Sequence, residues 1–137
     1  TRFLMALPEK LLWQQRRRAP RFSLPAALRG PRARLTLTHG RETVSGMVED
    51  LSASGCRAVF DAAAAPVLAA RDQFDDVRVE IGGLLAISAR IALRFRETDP
   101  ATGRVACGIE FTRLGNDERL RLEQFVRSLA LRAERQR

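Results

Sequence analysis

Asp50-Leu51-Ser52-Ala53-Ser54-Gly55 follows directly on an apolar-alternating stretch, where a strand ends and the chain turns. A carboxylate acceptor, two small hydroxyls and a glycine that lets backbone approach closely make a polar wall. About thirty residues earlier stands Gln15-Arg16-Arg17-Arg18-Ala19-Pro20-Arg21-Phe22, with four guanidinium groups in six positions. Pro20 has no amide donor and pushes Ala19 toward extended conformations, so this segment is a loop or arm carrying fixed positive charge.

Around these two stretches the chain alternates with the period of half-buried strands. Phe22 to Leu28 reads as a first strand and Arg29-Gly30-Pro31 as a turn. Arg32 to Thr38 sets Ala33, Leu35 and Leu37 against polar neighbours, His39-Gly40 is a hairpin signal, and Glu42 to Leu51 returns through Val44, Gly46 and Val48. Gly55 to Phe60 places Cys56, Ala58 and Phe60 on one face. Asp61 to Phe74, alanine-rich and interrupted by Pro66, reads as a crossing loop with room for a helical turn. Val77, Val79 and Ile81 alternate, as do Leu85 to Arg96 and then Val105, Cys107, Ile109 and Phe111. Six or seven short strands separated by turn signals predict a small barrel or sandwich.

The period then changes. Asn116 or Asp117 caps a run to Arg135 in which Leu120, Leu122, Phe125, Val126, Leu129 and Ala133 recur at helical spacing. That face packs on the barrel or on an adjoining domain; the alternative is a dimerisation seam through Leu122, Phe125 and Leu129. Before the arginines, Glu9 to Trp13 is compatible with a short helical piece after Pro8. The expected division is an arm over 1–15, a β-domain over 16–114 and a helix over 115–137. Thr1 in place of an initiator Met reads as the start of a fragment or processed chain, which leaves open whether a domain precedes it.

The two opening stretches, in this order and spacing, resemble the paired signatures RxxxR and (D/N)xSxxG of the PilZ domain family. Arg17-Arg18-Ala19-Pro20-Arg21 fills the first and Asp50 to Gly55 the second, while Gly108-Ile109-Glu110-Phe111 resembles the family's closing GxxF strand. The resemblance implies a mainly β fold, a six-stranded antiparallel β-barrel with a C-terminal helix, acting as a receptor for the bacterial second messenger cyclic di-GMP. It implies a ligand set of Arg16, Arg17, Arg21, Asp50, Ser52 and Gly55. An Arg at the place of Arg16 is associated in the family with two stacked ligand molecules rather than one. The lead-in Leu7-Pro8-Glu9-Lys10-Leu11-Leu12-Trp13 resembles that of YcgR-like flagellar brake proteins, which points to a motor component as the protein target, with polysaccharide or secretion machinery as alternatives.

The chemistry suits those residue types. Cyclic di-GMP offers guanine O6 and N7 and phosphate oxygens, all of which a guanidinium fork can engage with two donors. The guanine N1–H and N2–H edge donates, and Asp50 is the acceptor for it. Ser52 can bridge base or phosphate, and Gly55 admits close backbone approach. Nucleotide bridging the arginine arm to the Asp50–Gly55 wall would order the arm and reorient whatever is joined to it.

Composition excludes other classes. The 137 residues are 45% hydrophobic, enough for one domain with its own core. The formal net charge of +8 rests almost wholly on Arg, part of it attributable to GC-rich codon usage, and it favours anionic partners. No run spans a bilayer and no signal-peptide core precedes the domain, so a cytoplasmic protein is expected. Cys56 and Cys107 lack metal spacing and suit a reducing compartment as small core residues; a disulfide between them would need facing strands. An enzyme is not expected: His39 is the sole histidine, sits at a hairpin tip and has no identifiable nucleophile beside it, Asp75-Asp76 reads as a charged loop, and no phosphate-loop or metal signature occurs. The rival is a basic nucleic-acid-binding barrel, disfavoured by the lack of Tyr and by Phe residues in core phase. A third class, a purely protein-binding adaptor, goes with degraded motifs, and these are intact. Either a monomer or a homodimer is compatible.

Overall fold

The computed structural model describes residues 19–135, so the helical piece expected over 9–13 and the brake-like lead-in lie outside the described residues. Seven strands occur in chain order: β1 (Phe22–Ser23), β2 (Ala33–His39), β3 (Glu42–Leu51), β4 (Gly55–Phe60), β5 (Gln73–Ile81), β6 (Leu85–Thr98) and β7 (Val105–Leu114). Among the described residues two α-helices join them, α1 (Ala65–Ala70) between β4 and β5 and α2 (Asn116–Arg135) after β7. The sheet runs β1-β3-β2-β5-β6-β7-β4, and β3 also pairs with β4. That last pairing closes the six strands β2 to β7 into an antiparallel barrel with a C-terminal helix, and closure removes the free edges an open sheet would leave.

Period-2 alternation dictates what faces inward. Leu35, Leu37, Val79, Ile81, Cys56, Ala58 and Ile109 are wholly buried. Each large apolar side chain removed from water contributes about 1.5–3 kcal/mol. The hairpin between β2 and β3 turns at Gly40, whose φ of 64° lies in the left-handed region open to glycine. Cys56 and Cys107 are free thiols in this core, on the paired strands β4 and β7, where Cys56 sits opposite Ile109 and Cys107 opposite Ala58. Burial pushes both thiols up, Cys107 to about 11.

Both barrel mouths are plugged. At one, β4 ends and β5 begins, and the alanine-rich crossover forms a 3₁₀ turn (Ala62–Ala64) and then α1, with Pro66 in its first turn. Val67 and Leu68 of α1 join the core. Arg96 of β6 ties this crossover down, donating through Nε to the Leu68 carbonyl at 2.8 Å and through Nη2 to the Arg71 carbonyl at 2.7 Å. At the other mouth Leu24, Leu28 and α2 close the barrel. β6 outreaches β7 at this end, since the first rung between them is Ala89 opposite Leu114. Glu118 of α2 takes over there, accepting the Ser88 N–H at 3.3 Å.

Three expectations need correction. Asp75 and Asp76, expected in a charged loop, lie in β5 at a shift of its register against β6. The strand expected over Phe22 to Leu28 stops at Ser23, because β2 already occupies the edge of β3 up to Met47 and leaves only Asp50 and Leu51 for β1. Leu24 N–H still donates to the Glu49 carbonyl at 3.1 Å, after which Pro25, with no amide to donate, leads into 3₁₀ turns at Ala26–Leu28 and Gly30–Arg32. In α2, Leu122, Phe125, Val126 and Leu129 face the barrel, but Leu120 is 57% exposed and Ala133 is also exposed. Leu122, Phe125 and Leu129 are therefore spent on the barrel and form no seam for a second helix.

Candidate ligand-binding site

The site lies at the α2 mouth, where β3 runs into the turn before β4. The β3–β4 register shifts here: Val48 lies opposite Ala58 and Asp50 opposite Arg57, leaving Glu49 as the extra residue of a β-bulge. The bulge places two successive carboxylates, Glu49 and Asp50, outside the barrel. Asp50 Oδ1 accepts the Arg57 backbone N–H at 3.0 Å and Glu49 Oε1 accepts from Arg57 Nε at 2.8 Å.

Arg21 enters from the residue before β1, which pairs Ser23 with Asp50 and so fixes the approach. Its Nη1 lies 3.4 Å from Asp50 Oδ2, both side chains being more than four-fifths buried. Nη1 is buried yet makes no hydrogen bond among the described residues, so a donor is held at the site unspent. Burial raises the Asp50 carboxyl above the ordinary 3.8, and the Arg21 guanidinium, the Arg57 N–H and the Arg57 charge offset this only in part.

Ser52 and Gly55 build the adjacent turn. The Ser52 hydroxyl is fully buried and accepts the N–H groups of Ser54 and Gly55, each at 3.1 Å, while lying 3.2 Å from the Gly55 carbonyl. Ser52 N–H donates to that same carbonyl at 2.9 Å. A side-chain oxygen replacing backbone partners in this way fixes the turn. Gly55 is required by β7: a Cβ there would stand 2.0 Å from the Ile109 carbonyl oxygen. The close approach at Gly55 is thus to the protein's own backbone.

Of the residues expected to bind ligand, Arg21 and Asp50 meet directly, Ser52 and Gly55 hold the turn beside them, and Arg16 and Arg17 lie outside the described residues. Three residues that the sequence reading did not single out join them. A groove of about 390 Å³ is lined by Ser23, Arg29, Met47, Glu49, Asp50 and Arg57, among others. Arg29 is positioned by its Nε, which donates to the Leu24 carbonyl at 2.5 Å. A signal for Glu49 and Arg57 existed. Val44, Gly46 and Val48 keep an inward phase that Leu51 can share only if one extra residue is inserted between, which is the bulge.

A closed six-stranded barrel, a capping helix and an arginine facing a carboxylate across the strand entry define a class of small, helix-capped β-barrel domain. The chain belongs to the PilZ domain family, whose profile matches residues 15–128. Among solved structures it is similar to the K. pneumonia MrkH–c-di-GMP complex, with a TM-score of 0.73 and 21% identity over 90% of this chain and 55% of MrkH. It is also similar to the PilZ domain of YcgR from Escherichia coli with c-di-GMP (TM-score 0.60, 17% identity, 89% of this chain and 97% of that one). A third is MotI/DgrA, the Bacillus subtilis inhibitor of motility (TM-score 0.59, 14% identity, 90% and 53%). The chain spans about half the length of MrkH and of MotI. No curated protein matches it. No described helix is long and apolar enough to cross a membrane.

Proposed function

We propose that this chain is a cytoplasmic receptor domain for cyclic di-GMP, a binding module rather than an enzyme, that couples second-messenger level to a protein target. The observation that carries the reading is the unspent Nη1 of Arg21 facing Asp50 across the start of β1. A guanidinium donor just before β1 and a carboxylate acceptor on the neighbouring β3 suit the acceptor and donor edges of guanine. Arg16 and Arg17, from the arm, would add donors for the second base and the phosphates; Ser52 and Gly55 would act by holding the wall. Membership of the PilZ family supports this ligand class, and the MrkH and YcgR structures named above each contain c-di-GMP. Ligand bridging the arm to the wall would order the arm and so change how an attached or docked protein is held. Motility control, biofilm formation and exopolysaccharide synthesis are the outputs this device would serve, and the fold likeness to YcgR and MotI favours motility.

Calorimetric titration of cyclic di-GMP into the chain and into Arg17→Ala, with GMP and a short RNA as controls, tests the reading. Saturable binding that the substitution abolishes is expected, and the molar ratio reports one ligand or a stacked pair. Salt-sensitive RNA binding with no response to cyclic di-GMP would instead make the domain a basic nucleic-acid-binding barrel.

A further inference from the structure

Outside the Arg21–Asp50 contact, the same end of the molecule carries a second cation whose partner is ill suited to keep it. Arg57 projects from β4 and is three-quarters buried, whereas the carboxylate that meets it, Glu49, is 52% exposed. Glu49 is there because the bulge adds it to the outer face, not because the barrel needs it: Val48 and Leu51 supply the inward contacts on either side. A largely buried arginine paired with a half-exposed carboxylate is a cation site with a weakly held anion already in it. Across the groove stands Arg29, anchored on the Leu24 carbonyl, and the groove is continuous with Asp50 and Ser23 of the first site. Its volume of about 390 Å³ is of the size that holds part of a small ligand.

We infer that the groove between Arg29 and Arg57 receives an anionic group of the ligand, a phosphate of the dinucleotide, and that Glu49 is the resident competitor that sets the affinity. This rests on the cyclic di-GMP reading and deepens it. Before binding, Arg57 and Glu49 neutralise one another, as Arg21 and Asp50 do beside them. A phosphate entering the groove displaces the Glu49 carboxylate into solvent, which costs little because that carboxylate is already half hydrated. It gains the fork of Arg57 in a setting less exposed than the surface. The backbone from which Arg57 projects is held through the exchange by its N–H, which donates to Asp50 Oδ1.

The experiment is calorimetric titration of cyclic di-GMP into the full chain and into Glu49→Gln, Arg57→Met, the double variant and Arg21→Ala. Removing the competitor in Glu49→Gln tightens binding by about threefold, the size of a lost surface ion pair. Arg57→Met weakens it about tenfold or more, as loss of a charged hydrogen bond does. The double variant binds no more tightly than Arg57→Met, because Glu49 acts only through Arg57. Should Arg57→Met fail to fold, Glu49→Gln decides alone, and unchanged or weaker binding there overturns the inference. Wild-type affinity in both single variants, with binding lost in Arg21→Ala, removes the Arg57 groove and leaves the receptor reading standing. No binding by the wild type removes both.

Discussion

Burial and recognition pull Asp50 in opposite directions, and the pH dependence has a definite sign. In the unfolded chain this carboxyl loses its proton near 3.8, and in the barrel it does so at higher pH, because desolvation outweighs Arg21 and the Arg57 N–H. As pH rises from the ordinary carboxylate range through the raised value, the folded wild type therefore loses stability relative to Asp50→Asn. Above that value the gap is constant. Chemical denaturation of both proteins at a series of pH values from about 4 to 7 measures the gap, and a gap independent of pH would sink the assignment. The proposed role of Asp50 as guanine acceptor runs the other way: it predicts that cyclic di-GMP affinity falls on acidification through the same window, where the carboxylate is protonated. Gly55 answers to folding alone. Gly55→Ala would set a methyl 2.0 Å from the Ile109 carbonyl and prise β4 from β7, at about 3 kcal/mol, the upper end of overpacking costs. A melting temperature within a degree or two of wild type would mean the strands part without penalty.

Among the elements, α2 shows where periodicity misleads. Its apolar residues recur at helical spacing over the whole run, yet the barrel mouth takes only Leu122, Phe125, Val126 and Leu129. Leu122→Ala should cost about 2–5 kcal/mol because the residue is wholly buried, whereas Leu120→Ala should be within about 0.5 kcal/mol of wild type. Equal losses, measured by denaturant midpoint, would contradict the packing. The strands themselves were legible because alternation and turn residues agree along most of the run from Ala33 to Phe111. The first strand was misjudged for a reason outside its own residues: β2 had taken the edge it needed. The site was half legible. Arg21 and Asp50 stand in recognisable spacing, but Glu49 is the extra residue of a bulge whose sequence trace is a one-residue slip of phase, and that bulge brings it to Arg57 on β4.

At the scale of the molecule, closure and the two plugs make one core that includes residues from α1, α2 and every barrel strand. Cys56 and Cys107 report its integrity, since burial both covers them and keeps them protonated. Neither should react with a thiol reagent in the native protein at neutral pH, and both should react at once in denaturant. Labelling of one thiol without the other under native conditions would show that β4 and β7 separate locally, against the cooperativity the shared core implies. The turn at the site belongs to this closure. Ser52 and Gly55 hold the turn and the strand approach of the barrel, whereas Arg21 and Asp50 are the pair proposed to meet the ligand, and on that reading the two pairs answer to different selective pressures. On the proposed function, a lineage that kept this barrel but abandoned the nucleotide would let the arginine and aspartate drift while retaining the serine and the glycine, so that the glycine of the signature would testify to ancestry and the arginine to use of the ligand.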